Sequence, residues 1–356
     1  MKWIIYIFLL FLFSCVQDPS APKHDNDNKT FSDGAFILCE GIWGQSNSSL
    51  ARYDQKTENI INEYYKFANP GLSLGDLAND IVLLGDTAFV AVTSTRVIEV
   101  FLVETGESLG RIKLPDNSAP REIAIMNDSI AFVSDLYLDV LHVFNPREIR
   151  LLDRTIPTGP APEDVAIYQD LVFTANSGYG YYRKNEPKAG TVSVINAKTG
   201  IEIRTLIDLP NVLELLINEE KQLLYCCYYH ITAEVDSVGG IIEYDLNTLE
   251  ETRRWEIDAL SINFSSTNDS LVFIADNNVY SLDISSDSQP QLLIINPKPS
   301  EIWYALAISP FDNTLWICNA KSHQINGELI QYDISSPQVV KRTYPLGVNP
   351  AKIVFF

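Results

Sequence analysis

Ile123-Ala124-Ile125-Met126-Asn127-Asp128-Ser129-Ile130-Ala131-Phe132-Val133 sets an apolar triplet, a polar turn and a second apolar run in one short stretch. Asn, Asp and Ser start turns by bonding nearby backbone, so the two runs read as a hairpin. Outward along the chain the triplet recurs as Ile81-Val82-Leu83, Val165-Ala166-Ile167, Leu215-Leu216-Ile217, Ile262-Asn263-Phe264, Leu306-Ala307-Ile308 and Ile353-Val354-Phe355. With Ile123 included, the spacings are 42, 42, 50, 47, 44 and 47. A period in the forties, with several short apolar runs per unit, marks a radially repeated all-β protein rather than a sandwich. The expected fold is a seven-bladed β-propeller.

Second strands follow each triplet, as at Thr87 to Val92 and Leu171 to Ala175. Third strands alternate and end at a polar turn: Leu50 to Asp54, Ile98 to Leu102, Val140 to Asn145, Val192 to Asn196, Ile241 to Asp245, Val279 to Asp283 and Leu329 to Asp333. First and third strands each number seven, but the two sets are offset. The N-terminal unit, 34–67, lacks a first strand, whereas Val348 to Phe356 is a first strand with nothing after it. The C-terminal segment is therefore expected to supply the innermost strand of the N-terminal blade and close the ring, which removes open sheet edges. Pro120, Pro162 and Pro350 each precede a triplet by three residues, where a missing N–H faces a connecting loop.

Residues 34–356 thus form one repeated domain, preceded by two segments of another kind. Lys2, the apolar run Trp3 to Phe13 and Leu12-Phe13-Ser14-Cys15 look like a lipoprotein signal peptide over 1–14, with Cys15 as the acylated residue. The run is too short to span a bilayer core. Residues 15–33 are polar, carry two prolines and read as a flexible tether. The formal net charge of −20 argues against nucleic acid, whose phosphates require clustered Lys and Arg. Cys39, Cys226, Cys227 and Cys318 have no zinc spacing and read as buried small hydrophobes; a Cys39–Cys318 disulfide is open on sequence alone.

In a ring of four-stranded blades, the loops between strands two and three share one face with the loops between blades. That face is the expected binding site. It receives Trp43 and Asn47 from blade one, Asn176, Tyr179, Tyr181 and Tyr182 from blade four, Tyr229 from blade five and His323 from blade seven. Between blades it receives Asp76, Asn79, Arg121, Glu163, Trp303 and Tyr304, with Glu122, Asp164 and Glu214 beside them. Aromatic rings with polar tips on glycine-bearing loops suit ligand contact. No His-x-His, His-Glu-x-x-His or Cys-x-x-Cys motif occurs, so no catalytic residue, metal or cofactor is assigned, and an enzyme is not expected. A metal-assisted lactonase or lyase stays open through Asp76, Glu163, Glu214 and Asn176.

The Pro-x-x-Ile/Val pattern, with Thr105-Gly106 and Thr199-Gly200, resembles the YVTN-type seven-bladed propellers of bacterial envelopes. Phe36-Ile37-Leu38-Cys39-Glu40-Gly41-Ile42-Trp43-Gly44, then Asn47-Ser48-Ser49-Leu50 and Leu74-Gly75-Asp76-Leu77-Ala78-Asn79-Asp80, looks like the surface propeller lipoproteins that capture cobalamin over a TonB-dependent transporter. The resemblance implies a lipid-anchored outer-membrane protein at the cell surface, binding a small nutrient such as a corrinoid and passing it to that transporter without a reaction of its own. Ser261-Ile262-Asn263-Phe264 departs from the proline pattern. A protein-interaction scaffold of the envelope is the alternative from another class.

Overall fold

The computed structural model describes residues 33–180, 182–207, 209–231, 237–336 and 338–356. The expected leader, Cys15, all of the tether but its last residue, and Tyr181 lie outside the described residues. Seven four-stranded antiparallel sheets make up the ring, so the expected seven-bladed β-propeller is what the chain forms. The inner strands are Ala78–Leu84, Pro120–Asn127, Pro162–Tyr168, Val212–Asn218, Leu260–Phe264, Ile302–Ile308 and Pro350–Phe355. Every apolar triplet of the sequence falls on one of them.

The core lies between blades. Second strands are covered on both faces and so read as continuous apolar runs, as in Thr87–Val92, where Ala88 to Val92 are all buried. Outer strands such as Ser108–Lys113 cover one face only, and their exposure alternates. Side chains from facing blades meet in radial clusters: Phe89 and Val100 of blade two pack with Val133 and Phe144 of blade three, and Val143 with Val172 and Ile195 of blade four. Between blades one and two the filling is aromatic, Phe36 lying 5.6 Å edge-on to Phe101, with Tyr64 and Tyr65 of the short helix Tyr64–Ala68 beside them.

Third strands end as their sequence dictates. Asp54, Asn196 and Asp245 accept the backbone N–H three residues on, at 2.7, 3.0 and 2.8 Å, and turn the chain into the outer strand. Closure also follows the expected route. Pro350–Phe355 pairs antiparallel with Gly34–Cys39, and Gly34 and Phe356 exchange both backbone hydrogen bonds at 2.9 Å. All four cysteines after Cys15 are free and buried; Cys39 and Cys318 share the apolar cluster between blades seven and one without a disulfide. Burial holds these thiols above their usual range and keeps them uncharged.

Candidate functional site

Each inner strand breaks register near its start. The breaks fall between Ala78 and Asp80, Pro120 and Ile123, Pro162 and Val165, Val212 and Glu214, and Leu260 and Asn263, with a further one around Trp303 and another opposite Cys39 in the last strand. A bulge leaves backbone N–H groups without a ladder partner, and buried N–H groups need one. Carboxylates from the preceding blade supply it. Asp80 Oδ2 accepts Ile123 N–H at 2.9 Å, Asp164 Oδ2 accepts Leu215 N–H at 2.7 Å, and Glu214 accepts Ser261 and Ile262 N–H at 2.6 and 2.9 Å. The acidic residue before the triplet therefore stitches blade to blade, and in Asp164 and Glu214 it also lines the channel.

These side chains surround a channel cavity of about 450 Å³. Five carboxyl groups line it, Glu40, Glu122, Glu163, Asp164 and Glu214, against two cations, Arg121 and Lys352. Near the mouth, Arg121 Nε donates to Glu163 Oε2 at 2.7 Å. Glu40 accepts Asn79 Nδ2 at 3.1 Å and the Tyr304 hydroxyl at 3.2 Å, and the His323 ring stands edge-on to Tyr304 at 5.0 Å. One residue deeper, Lys352 Nζ reaches Asp80 Oδ1 at 3.0 Å and Glu122 Oε2 at 2.9 Å. Strands of blades one, two and three are joined by that single ammonium.

Burial and crowding set the protonation of these groups. Burial, followed by the Asp80 charge, drives Glu122 well above the usual carboxylate range, although Lys352 opposes it. Asp164 is raised to about 6, by burial first, with Lys352 and the Leu215 N–H pulling it back. Glu40 and Glu214 are also raised by burial. Lys352 is held well above the usual amine range because the surrounding carboxylates outweigh its desolvation. The channel thus holds two carboxyl groups, Glu122 and Asp164, whose proton affinities burial raises, together with a fixed cation, which is the equipment of general acid–base chemistry.

Of the residues expected at the site, Asn79, Arg121, Glu163 and Tyr304 line this cavity. His323 stands behind Tyr304, bonded through Nδ1 to Asn349 Oδ1 at 2.8 Å. Trp43, Tyr179 and Tyr182 are exposed on the loops of the same face. Tyr229 packs against His230 at 4.6 Å. The remaining four serve the scaffold. Trp303 is buried between blades six and seven against Tyr332, because the bulge around it turns Trp303 into the core and Tyr304 into the channel. Asn47 Oδ1 accepts Ile42 N–H at 2.7 Å, and Asp76 accepts Gly44 and Ser46 N–H at 2.9 and 3.3 Å, so both fold the Gly41–Asn47 loop. Asn176 is wholly buried, accepting Gly159 N–H and donating to Thr191 and Ser193. Asp76 and Asn176 are thereby removed as metal ligands, and among the described residues no three His, Cys, Asp or Glu side chains stand close enough to hold a metal ion.

Sequence reading passed over Glu40, Asp80 and Lys352. The signal was there: Asp80 and Lys352 occupy the position before the triplet, in register with Glu122, Asp164 and Glu214.

No protein-family model and no curated protein matches the chain. Solved structures do resemble it. A periplasmic gluconolactonase of Pseudomonas aeruginosa is 14% identical, with 91% of this chain and 99% of that one covered and a TM-score of 0.64. A candidate 6-phosphogluconolactonase of Bacteroides fragilis is 14% identical over 92% of this chain and 99% of that one, with a TM-score of 0.65. Hydrazine synthase of Kuenenia stuttgartiensis gives 11% identity, coverage of 76% and 92%, and a TM-score of 0.62. At such identity the likeness shows the propeller fold alone. It nevertheless corrects one expectation, that of a protein without a reaction of its own. Rings of this shape and extent include proteins named for lactone hydrolysis, so motif reading is no ground for excluding an enzyme. Gly71-Leu72-Ser73-Leu74-Gly75 does match Gly-x-Ser-x-Gly, but it leads into the strand Ala78–Leu84 and not into the helix a nucleophile elbow needs.

Proposed function

We propose that the protein hydrolyses small uncharged lactones, or similar cyclic esters of sugar acids, in the channel cavity. The observation that carries this reading is the placement of Glu122, Asp164 and Lys352 around one open cavity, with the proton affinity of both carboxyl groups raised by burial. Asp164, ionised in part near neutrality, takes a proton from water as its oxygen bonds to the lactone carbonyl. Lys352 and Arg121 offset the charge that develops on the carbonyl oxygen. As the ring C–O bond breaks, Glu122 gives its proton to the departing oxygen, and a hydroxy acid results. The product is an anion among carboxylates, which favours its release.

Charge also selects the substrate. Five carboxyl groups line the cavity against two cations, each already beside a carboxyl group, and that balance disfavours a doubly charged phosphate. A neutral polyhydroxy lactone fits these walls better than a phosphorylated one. The cavity lies toward the small end of ligand pockets, which suits a monosaccharide. The corrinoid and the TonB-dependent transporter implied by the opening run gain no support from these walls.

Titration of the acid released from glucono-δ-lactone should show turnover above the spontaneous rate. Asp164→Asn and Glu122→Gln should each lower kcat by about 100-fold. Rate should rise with pH through about 6, as Asp164 ionises, and fall again above the raised range of Glu122. Spontaneous-rate hydrolysis across a panel of neutral lactones would refute the reading.

A further inference from the structure

Outside the cavity, three tyrosines stand exposed on one side of its mouth. Tyr137 of the blade-three loop is 60% exposed, Tyr179 and Tyr182 of the blade-four loop 44% and 83%. Exposed rings are ordinary when they are scattered, but these are held together. Arg183 makes a two-toothed fork to Asp139 at 2.8 and 2.6 Å, clamping the blade-four loop onto the blade-three loop that carries Tyr137. Asp139 also accepts Ala161 N–H at 2.9 Å, and Ser177 and Gly178 N–H bond Ala161 and Pro160 carbonyls at 3.1 and 3.0 Å. The clamp is thus fixed to the backbone that leads into Pro162–Tyr168, the strand of Glu163.

Tyr179 sits at the left-handed φ of 53°, which a bulky side chain adopts only when its surroundings impose it. Its ring lies 5.5 Å from that of Tyr182, tilted by 33°. Because the clamp is fixed to the chain entering Pro162–Tyr168, the platform stands beside the strand that carries Glu163 to the cavity.

We infer that Tyr137, Tyr179 and Tyr182 form a second subsite, which holds a pyranose ring joined to the lactone in the cavity. The inference rests on the lactonase reading and extends its substrate to glycosylated aldonolactones. A pyranose offers a flat C–H face to an aromatic ring and hydroxyls at its rim, and tyrosine offers the matching face and a hydroxyl tip. Arg183, in the same loop as the rings, is spent on Asp139 and Glu186, so the platform suits an uncharged ligand.

The test compares maltobiono-δ-lactone with glucono-δ-lactone on the purified protein. The disaccharide lactone should have a KM about tenfold lower, equivalent to about 1.4 kcal/mol. Tyr182→Ala and Tyr179→Ala should bring the ratio of the two KM values toward one, with an unchanged melting temperature showing that each variant is folded. Equal KM values in the unaltered protein would overturn the subsite, as would preference for the aryl lactone dihydrocoumarin over both. Should no lactone turn over, the hydrolase reading fails by itself. The subsite is then judged by saturation-transfer NMR with maltitol and sorbitol: transfer to maltitol alone, lost in Tyr182→Ala, sustains it, and transfer to neither or to both equally removes it.

Discussion

Asp164 carries two duties that pull against each other. Its carboxylate accepts the Leu215 N–H and so joins blade four to blade five, yet burial raises its proton affinity to about 6 from the ordinary 3.8. Because the folded value exceeds the unfolded one, the associated stability is present below about pH 4 and is lost as pH rises through about 6. Asp164→Asn removes that dependence. The wild type should therefore lose stability relative to the variant between about pH 4 and 6, by at most about 3 kcal/mol. Paired urea titrations at both pH values read the difference, and a gap that does not move with pH would show that the carboxyl is not raised. Lys352 makes the complementary case. Lys352→Met leaves Asp80, only 1% exposed, beside Glu122 without its cation, a loss expected to cost about 3–5 kcal/mol. Adding Asp80→Asn should recover part of it, which a double-mutant cycle measures.

At the scale of elements, the sequence was most readable where a strand has a repeated neighbour on both sides. The triplets and the Asp or Asn turns fell where they were expected, because blade packing imposes the apolar run and the turn imposes the acceptor. Bulges were not readable. They arise from fitting flat ladders around a narrow channel, and no residue type announces them. That is why Trp303 was expected at the mouth and lies in the core, whereas Asp80 and Lys352, which share the position before the triplet, could have been found by register. Asp76 shows the same gap between composition and geometry: it was expected to meet a ligand and instead folds a loop by accepting Gly44 and Ser46 N–H. Asp76→Ala should speed amide exchange at Gly44 and Ser46 by at least about tenfold and cost the whole protein only about 1 kcal/mol. Unchanged exchange at both amides would show that the loop is held by other contacts.

The whole molecule depends on a join that is not covalent. Blade one takes its inner strand from the far end of the chain, so Phe356 meets Phe36 at 4.7 Å and Phe355 meets Trp316 at 4.9 Å, while Glu40 and Gly41 N–H bond the carbonyls of Asn349 and Val348 at 2.9 and 3.1 Å. Removing residues 350–356 would strip the ladder from Gly34–Cys39, whose six residues are all buried, and would remove Lys352 from between Asp80 and Glu122. In an open solenoid such a loss frays one end, because each repeat touches only its neighbours. In a closed ring both neighbours of the damaged blade lose a face, so the loss should spread. The truncated chain is therefore expected to lose its near-ultraviolet circular dichroism throughout at a urea concentration that leaves the full chain folded. A synthetic peptide of residues 348–356 added in excess should restore part of the signal, since it can bind the folded ring but not the unfolded chain. A truncated chain that melts at the midpoint of the intact protein would mean that the last strand ornaments the ring rather than closing it.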